Sequence, residues 1–156
     1  MKSSRNFEVY RSDHIGISVP SLDDAILFWT EALGAELIRT GEMAGDFLTQ
    51  VTGAKNATVK MAIVELAGQK IELLEYDDVT KRTEAPSRPY SAGILHLAIQ
   101  VSNIEAVIEK VGYYGWKAQG KPQKIEEGSR TGTHVMYIVG PSGTALELMQ
   151  PPSLDK

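Results

Sequence analysis

Two histidines and two glutamates carry most of the chemistry that this sequence offers. His14 stands in Asp13-His14-Ile15-Gly16-Ile17-Ser18-Val19 and His96 in Leu95-His96-Leu97-Ala98-Ile99-Gln100-Val101. Glu72 lies in Lys70-Ile71-Glu72-Leu73-Leu74, and Glu147 in Ala145-Leu146-Glu147-Leu148-Met149. A carboxylate on a strand among apolar neighbours must be paired, solvated or bound to a cation, because a bare buried charge is expensive. A single strand histidine is ordinarily a hydrogen-bonded or surface residue, and a single glutamate on a hairpin ordinarily faces water. Four such residues at matching points of two similar segments point instead to one site. Two imidazoles and two carboxylates on one face of a curved sheet suit a borderline divalent ion, with water in its open positions. Cysteine is absent, so any metal here is held by nitrogen and oxygen.

The elements that must position these groups repeat along the chain. Both histidine segments alternate apolar residues with period two, the pattern of a half-buried strand, with the histidine on the face opposite the Ile/Leu/Val set. Each strand leads into a helix start. Pro20-Ser21-Leu22-Asp23-Asp24 matches Ser102-Asn103-Ile104-Glu105-Ala106, a capping residue followed by acidic residues in the first turn. The first helix places Leu22, Ala25, Ile26, Trp29 and Leu33 on one stripe and stops at Gly34. The second places Ile104, Val107, Ile108 and Val111 likewise and ends among Gly112 and Gly115. Further on, Ala62 to Leu74 lies over Tyr137 to Met149 without a gap, and both stretches read as strand, glycine-containing turn, strand.

Each half is therefore expected to be a strand, a helix and a small antiparallel set, over residues 9–77 and 93–151, the two sharing one structural domain. Residues 78–92, with Pro86 and Pro89, read as a linker, and residues 1–8 and 152–156 as loose tails. The first half carries extra sequence from Met43 to Thr58, where Phe47-Leu48-Thr49-Gln50-Val51 would form a helical turn or a flap. Following the ligand faces outward, Ser18 and Gln100 share the side of His14 and His96, and Leu74 and Met149 that of Glu72 and Glu147. With His134 and Met136, and Phe47 as a lid, they are the expected substrate-pocket residues.

Composition excludes several functions. A net charge of −4 over 156 residues gives no footprint for nucleic acid or an anionic membrane. No apolar run approaches the roughly 20 residues that span a bilayer, and no secretory signal opens the sequence. The expected setting is cytoplasmic.

The histidine strands, the Ser21-Leu22 helix start, Ile71-Glu72-Leu73-Leu74 and Gly140-Pro141-Ser142-Gly143-Thr144-Ala145-Leu146-Glu147-Leu148 together resemble the vicinal oxygen chelate superfamily. That group includes glyoxalase I, methylmalonyl-CoA epimerase, extradiol dioxygenases, and the fosfomycin and bleomycin resistance proteins. The resemblance runs from about Tyr10 to Pro151 and is nearest the epimerase and glyoxalase I branches. It implies an α+β fold of two tandem βαβββ modules, whose curved mixed sheets surround a metal-bearing cleft. It implies one divalent ion (zinc, nickel, cobalt, manganese or iron) on His14, Glu72, His96 and Glu147. It implies enolate chemistry on a small oxo or acyl substrate, an epimerase, isomerase or lyase reaction, with Glu147 or Glu72 as proton carrier. A homodimer is implied as well. Two alternatives stay open: a ring-cleaving dioxygenase using ferrous iron on His14, His96 and Glu147, and a non-catalytic protein that binds a small molecule such as an antibiotic. Leu95, where epimerases commonly show a second histidine, and the Met43–Thr58 insertion both depart from the epimerase pattern.

Overall fold

The computed structural model describes residues 6–77 and 88–152. Most of the expected linker, residues 78–87, lies outside the described residues, as do residues 1–5 and 153–156 of the expected tails. The first module runs β1 (Ile15–Ser18), α1 (Leu22–Leu27), β2 (Glu36–Ala44), α2 (Gly45–Thr52), β3 (Thr58–Leu66) and β4 (Gln69–Tyr76). Its strands order as β1-β4-β3-β2, with β1 parallel to β4 and the others antiparallel. The second module runs β5 (His96–Gln100), α3 (Ile104–Gly112), β6 (Lys117–Ala118), β7 (Gln123–Lys124), β8 (His134–Val139) and β9 (Ala145–Gln150). Its order is β5-β9-β8-β6, with β7 also paired to β8 and β5 parallel to β9. Both modules are thus mixed sheets crossed by one helix. The nine-residue β2 has a broken counterpart in the second module: Gly120 and Pro122 fall between β6 and β7, and proline offers no N–H to a ladder.

The two helix starts are built alike. The Ser21 hydroxyl accepts from the Asp24 N–H at 3.2 Å, and the Asn103 side chain accepts from Ala106 at 3.1 Å. At equivalent points of the last strands, Glu75 accepts from the Leu22 N–H and Gln150 from the Ile104 N–H, tying each helix to its sheet. The first helix does not run as one α-helix to Gly34. After Leu27 it widens into a π-helical turn, Phe28–Ala32, where the Thr30 hydroxyl donates to the Ile26 carbonyl at 2.9 Å. Phe28 and Trp29 both turn inward as a result, at 4% and 2% exposure.

A single apolar core joins the modules. It contains Ala62, Val64, Ile71 and Leu73 from the first sheet and Met136, Ile138, Leu146 and Leu148 from the second, with Leu22, Trp29, Ile104 and Val111 between them. Phe28 stacks on Trp116 across the modules, with ring centroids 4.2 Å apart and planes within 8°. The helix-covered faces of both sheets therefore meet in the middle of the molecule, and the opposite faces look outward. The expected pair of mixed sheets is present, and among the described residues their outer faces bring no three ligand-type side chains together.

The insertion forms the end of β2 and α2. Its inward residue is Leu48, 1% exposed, while Phe47 is 64% exposed. Gly53 ends the helix in the left-handed region, at φ +76°, and donates its N–H to the Thr49 carbonyl.

Candidate metal centre

His14, immediately before β1, continues the face of Gly16 and Ser18, and Gly16 pairs with Glu72 on β4. The imidazole Nε2 of His14 lies 3.1 Å from Glu72 Oε2, and its Nδ1 lies 2.9 Å from Asp13 Oδ1. In the second module His96, Ala98 and Gln100 share a face with Ala145, Glu147 and Met149. There the Nε2 of His96 lies 3.2 Å from Glu147 Oε2. The carboxylates are the more sheltered members, with side chains 16% and 19% exposed against 37% and 39% for the imidazoles. A partly desolvated carboxylate beside an imidazole edge favours a cation.

Each pair fits a metal edge. With metal–nitrogen and metal–oxygen bonds of about 2.1 Å, two neighbouring ligand atoms sit about 3.0 Å apart in an octahedron and about 3.4 Å apart in a tetrahedron. The observed 3.1 Å and 3.2 Å lie in that interval. The four expected ligands are not brought together within the chain, however. Among the described residues no group of three or more His, Asp or Glu side chains converges, and the two pairs occupy the outer faces of different modules.

The two half-sites differ in their surroundings. Asp13 holds the Nδ1 side of His14, which leaves Nε2 toward Glu72, the arrangement by which carboxylates orient metal-ligating imidazoles. The hydrogen bond that Asp13 accepts from His14 raises the His14 pKa above its ordinary 6.5 and lowers that of Asp13 below its ordinary 3.8. His96 follows Leu95 and has no such carboxylate. Tyr137 on β8 takes the neighbouring place: its hydroxyl lies 3.1 Å from His96 Nε2, and its ring packs against the imidazole with centroids 4.8 Å apart. Burial, and then the charge of Glu147, push the phenol pKa up.

Of the expected pocket residues, Ser18 and Leu74 share the outer face of His14 and Glu72, and Gln100 and Met149 that of His96 and Glu147. Two expectations fail on parity. β8 pairs His134 with Gln150 and Met136 with Leu148, which puts both on the helix side, and Met136 is a core residue. The residues of β8 on the ligand face are Val135 and Tyr137, the latter opposite Glu147. Phe47 points into solvent and covers neither half-site in this structure. Asp13 and Tyr137 are the site residues that sequence reading missed. Asp13 was visible as the neighbour of the first histidine, but Tyr137 has Ala62 at the equivalent point of the first module, so the repeat gave no signal for it.

The chain belongs to the glyoxalase/bleomycin resistance protein/dioxygenase superfamily, whose family model matches residues 13–137. It is 34% identical over 145 residues to a 2-epi-5-epi-valiolone epimerase of an Actinomyces species, covering 90% of this chain and 79% of that protein. A probable lactoylglutathione lyase of Vibrio parahaemolyticus is 26% identical over 137 residues, with 88% of each chain covered. The fold matches that of a Bacillus cereus glyoxalase family protein with a TM-score of 0.79 at 24% identity, over 97% of this chain and all of that one. It also matches a Listeria monocytogenes fosfomycin resistance protein crystallised with Mn(II) and sulfate, with a TM-score of 0.59 at 16% identity over 93% and 95% of the two chains. No helix among the described residues is long and apolar enough to cross a membrane.

Proposed function

We propose that this protein is a divalent-metal-dependent epimerase or isomerase that moves a proton at the carbon beside a carbonyl of a small oxo or acyl compound. The observation that carries the reading is the recurrence of one His–Glu pair, at metal-edge spacing, on the outer face of each module. Similarity to a relative at 34% identity that is named an epimerase favours proton transfer over the ring-cleaving dioxygenase alternative. His14 and Glu72 would hold one side of the ion and His96 and Glu147 the other. Bound there, a divalent cation supplies Lewis acidity toward two neighbouring substrate oxygens.

Because the pairs face away from each other within the chain, the full set is completed by a second copy. In a two-fold dimer the first-module pair of one protomer meets the second-module pair of its partner, giving two equal sites. The remaining chemistry belongs to the chain's own groups. Glu147, sheltered beside His96, would be the proton carrier. Asp13 fixes the His14 ring. Tyr137 fills the ligand face beside Glu147, where its raised pKa keeps it a hydrogen-bond donor.

The test is elemental analysis after gentle purification, followed by reloading with nickel, cobalt, zinc, manganese or ferrous iron. One metal per chain is expected, and bound metal should raise the melting temperature, by about 2.7 kcal/mol of stabilisation at a hundredfold excess over the dissociation constant. Loaded protein should exchange the α-hydrogen of small oxo compounds with deuterated water and consume no oxygen. A chain that takes up none of the five metals ends the proposal.

A further inference from the structure

The loop between β7 and β8 is closed on itself. The Ile125 N–H donates to the Thr133 carbonyl at 2.9 Å, and the Gly132 N–H returns to the Ile125 carbonyl at 2.8 Å. The Thr131 hydroxyl bonds the Gly128 carbonyl at 2.7 Å, and the Arg130 carbonyl receives the Thr133 N–H at 3.0 Å. The backbone of Arg130 is thus held from both sides. Its guanidinium reaches the ligand face of the second module, where Nη1 lies 3.4 Å from the sulfur of Met149. Met149 is two residues beyond Glu147 on β9 and on the same face, about 6.6 Å along the strand. Gln100 pairs with Met149 on the adjacent strand, so its amide shares that face.

A thioether sulfur is a weak acceptor, and a guanidinium carries five N–H donors in a fixed fork. Among the described residues no carboxylate pairs with Arg130. The exposed guanidinium is therefore presented beside the ligand face with a sulfur as its side-chain neighbour, and an incoming anion would replace only water on its remaining N–H groups. Anionic oxygens are the partner such a fork fits, two parallel bonds at a time. We infer that Arg130 is a specificity residue that receives an anionic oxygen group of the substrate, a few bonds from the oxygens seated at His96 and Glu147. This deepens the proposed function and rests on it for the position of those oxygens. It predicts an oxo acid with a second, distal charge in preference to a neutral oxo compound.

Two five-carbon probes separate the contributions. 2-Oxoglutarate and 2-oxopentanoate share the same oxo-acid head and differ in the distal carboxylate. Calorimetric titration of both into metal-loaded wild type, Arg130→Met and Arg130→Lys reads the preference directly. Wild type should favour 2-oxoglutarate by about tenfold or more, Arg130→Met should lose that preference while 2-oxopentanoate binds as before, and Arg130→Lys should restore part of it. Metal content and melting temperature, unchanged in the variants, establish that the fold and the ion site persist. Equal binding of the two probes by wild type, binding of neither at millimolar concentration, or a preference that survives Arg130→Met, overturns the inference while leaving the metal reading intact. A protein that takes up no metal yet shows an Arg130-dependent preference for 2-oxoglutarate overturns the metal reading and leaves the anion site standing.

Discussion

His14 and His96 occupy equivalent positions, yet one is backed by a carboxylate and the other by a phenol. The Asp13–His14 hydrogen bond favours the charged form of both partners. In metal-free protein the contribution of His14 is present in full below its ordinary 6.5 and is lost as pH rises through the raised value. The contribution of Asp13 is present above its ordinary 3.8 and is lost as pH falls through the lowered value. The pair thus stabilises the metal-free fold in mildly acidic solution, where a proton competes with the metal for the same nitrogen. Asp13→Asn should lower the His14 pKa, read by NMR titration of the ring protons. It should also weaken the proposed metal binding at neutral pH by roughly tenfold, because the imidazole loses the group that orients it. If the His14 pKa does not move, the 2.9 Å contact does not govern the ring. The four candidate ligands were legible because residue type and repeat agreed. His134 and Met136 were misplaced because a strand's faces alternate every residue, and only the β8–β9 register shows which set lies beside Glu147.

The elements were legible where the sequence repeats and obscure where it does not. Ser21 and Asn103, each followed by an acidic first turn, announced both helix starts, and both cap as the pattern requires. The π-helical turn at Phe28–Ala32 was not legible, since nothing in the apolar period marks it, and it goes with the burial of two adjacent aromatic residues. Nor was the inward residue of α2, because Phe47 and Leu48 are adjacent and only the packing against β2 decides between them. Gly140, at the end of β8, shows what the turn before β9 requires. A Cβ added there would lie 2.6 Å from the indole of Trp116, the ring that stacks on Phe28. Gly140→Ala should destabilise the fold by about 1–3 kcal/mol, measured by urea denaturation, since the rigid indole cannot yield without disturbing the stack. A cost near zero would mean that Trp116 moves freely in its seat.

At the scale of the molecule the decisive feature is the back-to-back arrangement of the modules. Pattern reading recovered two modules and their order, but it could not say which way their ligand faces point. That orientation is set by the aromatic contacts of Phe28, Trp29, Tyr114 and Trp116, which no strand period encodes. The proposed shared site makes a complementation test possible. The double variants His14→Ala/Glu72→Gln and His96→Ala/Glu147→Gln should each be inactive and bind little metal. Unfolded together and refolded as a mixture, they should recover about a quarter of wild-type activity, because half the dimers are mixed and each mixed dimer holds one intact site. No recovery, with mixed dimers verified by mass spectrometry, would place all four ligands within one chain.

Outward-facing half-sites have a consequence for how such a protein responds to its own abundance. A dimer-completed site of the kind proposed would vanish when the protomers part, so self-association and metal uptake would be linked equilibria, each drawing the other forward. Output per molecule would then be no constant but a rising function of protein concentration, steepest when metal is scarce. A dilute cell extract and a concentrated one would give different specific activities for the same chain, and added metal would narrow the gap between them.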